Sequence, residues 1–204
     1  MQSYICFIRH GITEGNQKKW FYGSVDIPLI VEGIDELERL REEGIYPLIK
    51  NADFYTSGML RTEQTLELIY GKIKHEVIPE LSEMNFGKYE CMTYDDLKDD
   101  EAFNRFAYNH DIDYVFPNGD SKKSFAMRVY RGLEILIGNH STRQKGNVEE
   151  DTVSIVVSHG GVITASLSKL FPDEEMNMWD WMPKPGRGYK VYFEDDKPIR
   201  YEKF

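Results

Sequence analysis

Cysteine is nearly missing from this chain: Cys6 and Cys91 are the only two among 204 residues. That excludes a disulfide framework and a thiolate-rich zinc site. Cys6 sits in an apolar run and reads as a buried, inert thiol. An apolar run of about 18 residues is also lacking, so no membrane-spanning helix is expected. No basic segment leads into a long apolar stretch near Met1, so no secretory leader is expected, and the protein is expected in the cytoplasm. Positive charge is in short supply: 25 Lys and Arg stand against 35 Asp and Glu, for a net charge of −10. A surface this acidic speaks against nucleic acid and anionic membranes as partners, because both are held by Lys and Arg. It does not exclude a small phosphate ester. Surface charge is screened over roughly 8 Å, while a pocket sets its own local field. Internal repeats, low-complexity tracts and domain linkers are absent as well.

What is present suits one α/β domain, residues 1–204, with a modest insertion. Hydrophobic residues make up 41%, enough for a core. Residues 4–8 form a short apolar run ending at Arg9-His10-Gly11 and read as a buried strand. Residues 32–43 space Ile34, Leu37 and Leu40 as an amphipathic helix. A strand at 53–57, a helix at 59–69 and a strand at 76–78 follow. Residues 84–116 read as a lid-like insertion with short helices at 93–98 and 101–109. A turn at 117–120 leads to a long helix at 121–137, and the polar stretch 141–151 reads as a mobile loop. Residues 152–157 are the most strand-like run and enter a helix that lasts through Leu170. Residues 189–193 and 199–204 read as a hairpin turning at Asp195-Asp196. Strands alternating with helices imply a mostly parallel central sheet with helices on both faces. The lid would lie over the carboxyl ends of the strands, where such sheets bind ligands.

Those ends carry the chemistry. His10 and His159 each close a strand and precede a glycine, which lets backbone approach a ligand. Arg9 adjoins the first histidine, and Arg61 lies one turn into the helix after the second strand. Guanidinium groups give planar, bidentate hydrogen bonds that fit a tetrahedral oxyanion. The N–H groups of Gly160 and Gly161, at a helix N-terminus, would add donors. An imidazole in line with a leaving oxygen can act as nucleophile. A leaving oxygen also needs a proton, and Glu83, after the third strand, is the candidate acid. Each residue alone has a plainer reading: a satisfied histidine, a surface arginine, a solvated glutamate, a strand-to-helix turn. The repeated strand-His-Gly pattern weakens the plainer readings but does not by itself decide against them. His75, His110 and His140 read as structural. Phe103, Phe106, Tyr108, Tyr114 and Phe116 read as lid packing before a platform for a ring.

The local sequence then resembles a known family. Arg9-His10-Gly11-Ile12-Thr13-Glu14-Gly15-Asn16 is similar to R-H-G-x-T-x-x-N, the opening signature of the histidine phosphatase superfamily, the phosphoglycerate mutase-like proteins. Gly23-Ser24-Val25-Asp26-Ile27-Pro28-Leu29, Ser57 through Thr65 with Arg61, and Leu81-Ser82-Glu83 through Glu90 resemble further blocks in the same order. So do Pro117-Asn118-Gly119-Asp120-Ser121 with Arg128-Val129, and Val157-Ser158-His159-Gly160-Gly161. The resemblance spans residues 9–163. It implies a phosphohistidine on His10, a phosphoryl group held by Arg9, Arg61 and His159, and Glu83 as proton donor. It adds Asn16, Thr13, Tyr22, Gly23 and Gly160 as substrate-binding candidates. No metal and no organic cofactor are implied.

Three positions depart from the pattern. Tyr22 stands where the family commonly has a pocket-lining glutamine, Cys91 replaces the glycine of W-E-G, and Asn118 replaces one of P-G-G. Met84 follows Glu83, where cofactor-dependent phosphoglycerate mutases usually have an arginine. A metal-independent phosphomonoesterase acting on a small phosphorylated metabolite is therefore expected, similar to bacterial broad-specificity and α-ribazole phosphatases. A cofactor-dependent phosphoglycerate mutase is the first alternative. A non-catalytic phospho-ligand binding protein is the second, disfavoured because Arg9, His10, Arg61, Glu83 and His159 are all kept. A monomer or homodimer is expected.

Overall fold

The structure is a computed structural model describing residues 2–48, 51–108, 112–146, 150–174 and 178–204. In chain order it contains β1 (Ser3–Arg9), the one-turn α1 (Glu14–Gln17), β2 (Trp20–Phe21), α2 (Val31–Glu42), β3 (Asp53–Thr56) and α3 (Leu60–Tyr70). Then come β4 (Glu76–Val77), β5 (Met92–Thr93), α4 (Tyr94–Leu97), α5 (Glu101–Tyr108) and α6 (Lys122–Gly146). The chain ends with β6 (Thr152–Ser158), α7 (Gly160–Leu170), α8 (Met178–Trp181), β7 (Gly188–Glu194) and β8 (Lys197–Lys203).

Six strands form one sheet in the order β4-β3-β6-β1-β7-β8. The neighbours β4, β3, β6 and β1 pair in parallel, while β7 runs antiparallel to both β1 and β8. The two central strands are apolar on both faces because both faces are covered. Tyr4, Cys6 and Ile8 of β1, with Val153, Ile155 and Val157 of β6, pack against Leu37 and Leu40 of α2 and Leu66 and Ile69 of α3. Ile5, Phe7 and Val156 face the other way, toward Val129, Leu133 and Leu136 of α6 and Ile163 and Leu167 of α7. This is the expected fold class, with helices on both faces of a mostly parallel sheet. The expected elements before 117 and after 151 lie within two residues of their observed ends. The exception is Asn109, the expected last residue of the second short helix, which lies outside the described residues, as does His110.

The terminal hairpin turns where expected. Asp195 and Asp196 both take positive φ (47° and 64°), the left-handed pair that a two-residue turn between twisted strands requires.

One expectation is overturned. The polar sequence from 141 predicts a mobile loop, yet α6 continues through Gly146. Its polar last turns are anchored rather than free. Arg143 pairs with Asp53 at the start of β3, and Lys145 reaches Asp196 in the β7–β8 turn at 3.1 Å. Ser141 is buried, and the Thr142 hydroxyl bonds the carbonyl of Gly138. Tertiary ion pairs thus supply the support that an apolar stripe gives elsewhere. Residues 147–149 of that expected loop lie outside the described residues.

The described residues between 84 and 120 wrap around aromatic rings. Tyr89, Phe103 and Phe116 are buried and meet edge to face, and Phe106 and Tyr114 pack on them. Tyr108 is exposed, its hydroxyl against that of Tyr94. β5 of this segment pairs with β2, through Trp20 with Thr93 and Phe21 with Met92. Two of the departures noted above lie in the left-handed backbone region that favours glycine: Cys91 at φ 63° and Asn118 at φ 61°. Asparagine tolerates that region; cysteine is strained there.

His140 is buried between two hydroxyls, Nε2 at 2.9 Å from Ser3 Oγ and Nδ1 at 2.8 Å from Ser154 Oγ, and so joins α6 to β1 and β6. Burial, with a smaller contribution from Arg143, pushes its pKa down from 6.5 to about 4. Between those values the unfolded chain takes up a proton that the folded chain refuses, so stability falls as pH drops through that window. This one group contributes up to about 1.4 kcal/mol per pH unit. Urea titrations at several pH values should therefore show a shallower slope for His140→Asn than for wild type; equal slopes would count against it. Cys91→Gly should raise stability by about 1 kcal/mol by removing the strained residue, read as a higher urea midpoint at unchanged m-value; a lower midpoint would refute the strain.

Candidate active site

The parallel register of β1 with β6 runs from Ser3 opposite Thr152 to Arg9 opposite Ser158. The next residue on each strand is a histidine, so alignment of the strands places His10 beside His159. The backbone N–H of His10 continues the ladder to the carbonyl of Ser158 at 2.9 Å. The two rings stand 5.3 Å apart, edge toward face, and both are buried.

Hydrogen bonds assign their tautomers. Nδ1 of His10 lies 2.7 Å from the carbonyl of Gly11 and must carry the proton, which leaves the lone pair on Nε2. Nδ1 of His159 accepts from Nε of Arg61 at 3.3 Å, so its proton sits on Nε2, directed at Ser57 Oγ at 2.8 Å. Ser57 contacts the Thr62 hydroxyl at 3.2 Å, and that hydroxyl donates to the carbonyl of Met59 at 2.7 Å. The chain of donors therefore closes with a neutral His159. Burial drives the pKa of both histidines well below the ordinary value, and the Arg61 and Arg9 charges act in the same direction.

Arg61, near the start of α3, is fully buried. Its Nη2 donates to the carbonyl of Gly23 at 2.8 Å and its Nη1 to that of Val25 at 3.0 Å. The ring of Tyr22 lies 5.2 Å from the guanidinium carbon. Arg9 donates through Nη1 to the carbonyl of Pro183 at 2.7 Å, while its Nε is buried with no partner. A buried N–H without an acceptor costs about 1–3 kcal/mol unless something fills it.

Glu83 reaches the same place. Its Oε2 accepts the N–H of Gly161 at 2.9 Å and its Oε1 that of Met84 at 3.0 Å. Gly161 is needed for this approach, since a Cβ there would stand 2.5 Å from Oε1 of Glu83. Gly23 is equally constrained, because a Cβ would fall 1.7 Å from the carbonyl oxygen of Met84. The neighbouring Gly160 lies against Arg9, with its ideal Cβ position 3.2 Å from Nε. Arg9, His10, Arg61, Glu83 and His159 thus gather at the carboxyl ends of β1 and β6.

The remaining candidates divide. Thr13 is fully buried and caps α1: its hydroxyl donates to Asn16 Oδ1 at 3.1 Å and receives the Tyr22 hydroxyl at 2.6 Å. Asn16 also accepts from the backbone of Thr13 with the same Oδ1, so only its Nδ2 donors are available to an anion. Tyr22 is buried, and burial raises the pKa of its hydroxyl.

Arg128 was missed as a site residue, although it stood within a matching block. It donates to the carbonyls of Glu80, Ser82 and Glu83 at 3.1, 2.6 and 3.1 Å and pairs with Asp120 at 3.0 Å. It fixes the backbone that carries Glu83. Ser57, which holds His159, likewise stands in a matching block without a role of its own. Arg128 acts mostly on main-chain carbonyls and Ser57 on a histidine 102 residues away, so no local pattern reports either contact. Phe103, Phe106, Tyr114 and Phe116 are consumed in packing, as expected, whereas Tyr108 is exposed and takes no part in that core.

A family model described as the histidine phosphatase superfamily, branch 1, matches residues 5–201. An adenosylcobalamin/α-ribazole phosphatase of Escherichia coli is 28% identical over 188 residues, covering 89% of this chain and 86% of that protein. A 2,3-bisphosphoglycerate-dependent phosphoglycerate mutase of Xanthobacter autotrophicus is 28% identical over 187 residues, 83% of each. A solved structure, a putative α-ribazole-5′-phosphate phosphatase from Escherichia coli, superimposes with a TM-score of 0.78 over 100% of this chain and 97% of that one, at 23% identity.

Long-range proton–nitrogen spectra should show His10 as the Nδ1–H tautomer and His159 as the Nε2–H tautomer, neither titrating between pH 8 and 6.5. A charged imidazolium at either position near neutrality would contradict the assigned hydrogen bonds.

Proposed function

The chain belongs to the histidine phosphatase superfamily and is a phosphatase, and we propose that it hydrolyses a small phosphate monoester through a phosphohistidine on His10. The observation that carries this reading is the pairing of a neutral imidazole, its lone pair on Nε2, with a buried and unpartnered Arg9 Nε beside it. The first is a nucleophile, and the second is a donor that a phosphoryl oxygen would satisfy.

In the first step Nε2 of His10 forms a bond to phosphorus as the bond from phosphorus to the ester oxygen breaks. Glu83 gives its proton to that oxygen, and an alcohol leaves. In the second step the Glu83 carboxylate takes a proton from water, whose oxygen bonds to phosphorus while the P–N bond breaks. Inorganic phosphate departs and His10 recovers its lone pair. Throughout, Arg9, Arg61 and the Gly160 N–H hold the charge on the equatorial oxygens. The Arg61–His159 contact, at 3.3 Å the longest bond of Arg61, is the one that a phosphoryl oxygen replaces. Asn16 donates through Nδ2, and Thr13 acts by fixing Asn16 and Tyr22. Tyr22 and Gly23 border the phosphate pocket. The segment 84–116 serves as a lid that receives the leaving group. The proposed substrate is a phosphorylated metabolite such as an α-ribazole phosphate, after the relatives of that name. No helix among the described residues is long and apolar enough to cross a membrane. Cys6 and Cys91 are both free, which suits the reducing cytoplasm.

A mutase reading draws on the relatives of that activity. Met84, in the position after the acid, is buried in the core and offers no cation for the carboxylate of phosphoglycerate.

Wild type should hydrolyse p-nitrophenyl phosphate, and acid-quench labelling should trap phosphoenzyme. His10→Ala should abolish the label, and Glu83→Gln should lower kcat by about 100- to 10,000-fold. A label that survives in His10→Ala places the nucleophile elsewhere. A phosphate-release screen including α-ribazole phosphate and the phosphoglycerates identifies the substrate; isomerisation outrunning phosphate release would replace the phosphatase reading with a mutase.

A further inference from the structure

Arg61 is aimed by backbone. The carboxylate of Asp26 stands 3.8 Å from its Nη1, beyond hydrogen bonding. The carbonyls of Gly23 and Val25 set the direction of the guanidinium instead. What holds those carbonyls in place is on the other side of the same loop. Glu90, directly after the 3-10 turn Gly87–Tyr89, sends its side chain there. Its Oε1 accepts the N–H groups of Gly23 at 3.1 Å, Ser24 at 3.0 Å and Phe86 at 2.9 Å. Its Oε2 accepts those of Gly23 at 3.0 Å and Val25 at 3.2 Å. Three consecutive backbone N–H groups converging on one anion form the kind of concavity that commonly binds a ligand. Here the protein fills it with its own carboxylate. The loop is therefore polarised, its N–H groups toward Glu90 and its carbonyls toward Arg61.

We propose that Glu90 is a positioning residue for phosphoryl binding: by ordering Gly23–Val25 it aims the Arg61 guanidinium at the phosphate. The inference rests on the phosphatase reading above. Glu90 also ties the lid to the phosphate pocket, because it accepts from Phe86 and because Cys91 continues into the chain that pairs with β2. The N–H of Cys91 donates to the carbonyl of Phe21 at 2.8 Å. Lid and pocket loop thus share one carboxylate.

Glu90→Gln keeps the shape but turns an amide N–H₂ toward donors, so the loop loses its anchor. Inorganic phosphate binding, read by calorimetry, should weaken about 30- to 100-fold, and KM for p-nitrophenyl phosphate should rise with it while kcat changes less. In an Arg61→Ala background the same change should weaken phosphate binding less than about twofold, because the effect passes through Arg61. A folded Glu90→Gln protein with wild-type phosphate affinity overturns the proposal, and so does a full loss repeated in Arg61→Ala. Should Glu90→Gln fail to fold, Glu90→Asp, which keeps the charge on a shorter stem, should show an intermediate loss; wild-type affinity there overturns the proposal equally. Wild type that binds phosphate without hydrolysing the ester refutes the phosphatase reading, and the Glu90 comparison is still decided by binding. Wild type that binds no phosphate refutes both.

Discussion

The in-step parallel pairing of β1 with β6 is the constraint on which everything else depends. Side chains alternate faces along a strand, so a slip of one residue would exchange the two apolar faces of β1 and drive both cores into mismatch. The buried sets Tyr4, Cys6, Ile8 and Ile5, Phe7 thereby lock the register. The same lock sets His10 against His159. The proposed catalytic geometry is a by-product of hydrophobic packing seven residues long, and no special interaction between the imidazoles is required to bring them together.

Burial does the electrostatic work at the site. Two guanidiniums enclosed with two imidazoles would be untenable if the imidazoles were charged. Desolvation and the arginines together keep the rings neutral, and neutrality is what a nucleophile needs. The compensation for buried positive charge comes from backbone carbonyls, of Gly23, Val25 and Pro183, rather than from tight carboxylate pairs. Carbonyl dipoles orient a guanidinium without neutralising it, so its charge stays available to an incoming anion.

This division also explains what the sequence reveals. His10, His159, Arg9 and Glu83 were legible because they sit beside strand ends and because their own chemistry is distinctive. Arg61 was legible through its place after a strand and through the family block. Arg128 and Glu90 were not given roles, since most of their partners are main-chain groups that every residue carries, and Ser57 was not because its histidine partner lies 102 residues away in the chain. The two-residue strands β2 and β5 escaped notice for a related reason: a pair so short has no periodicity to read. The tail of α6 was misread because its support is ion pairing to Asp53 and Asp196, residues far away in the chain. Local polarity is a poor guide where tertiary contacts replace an apolar face.

That long helix has a mechanical consequence. Arg143 and Lys145 near its C-terminus fasten it at the start of β3 and at the β7–β8 turn, while Arg128 near its N-terminus grips the main chain of residues 80–83. A rod of 25 residues, about 37 Å long, is thus tied to the rest of the fold at both extremities. It therefore works as a gauge: the height of the Glu83 carboxyl above the sheet is metered from the far edge of the molecule.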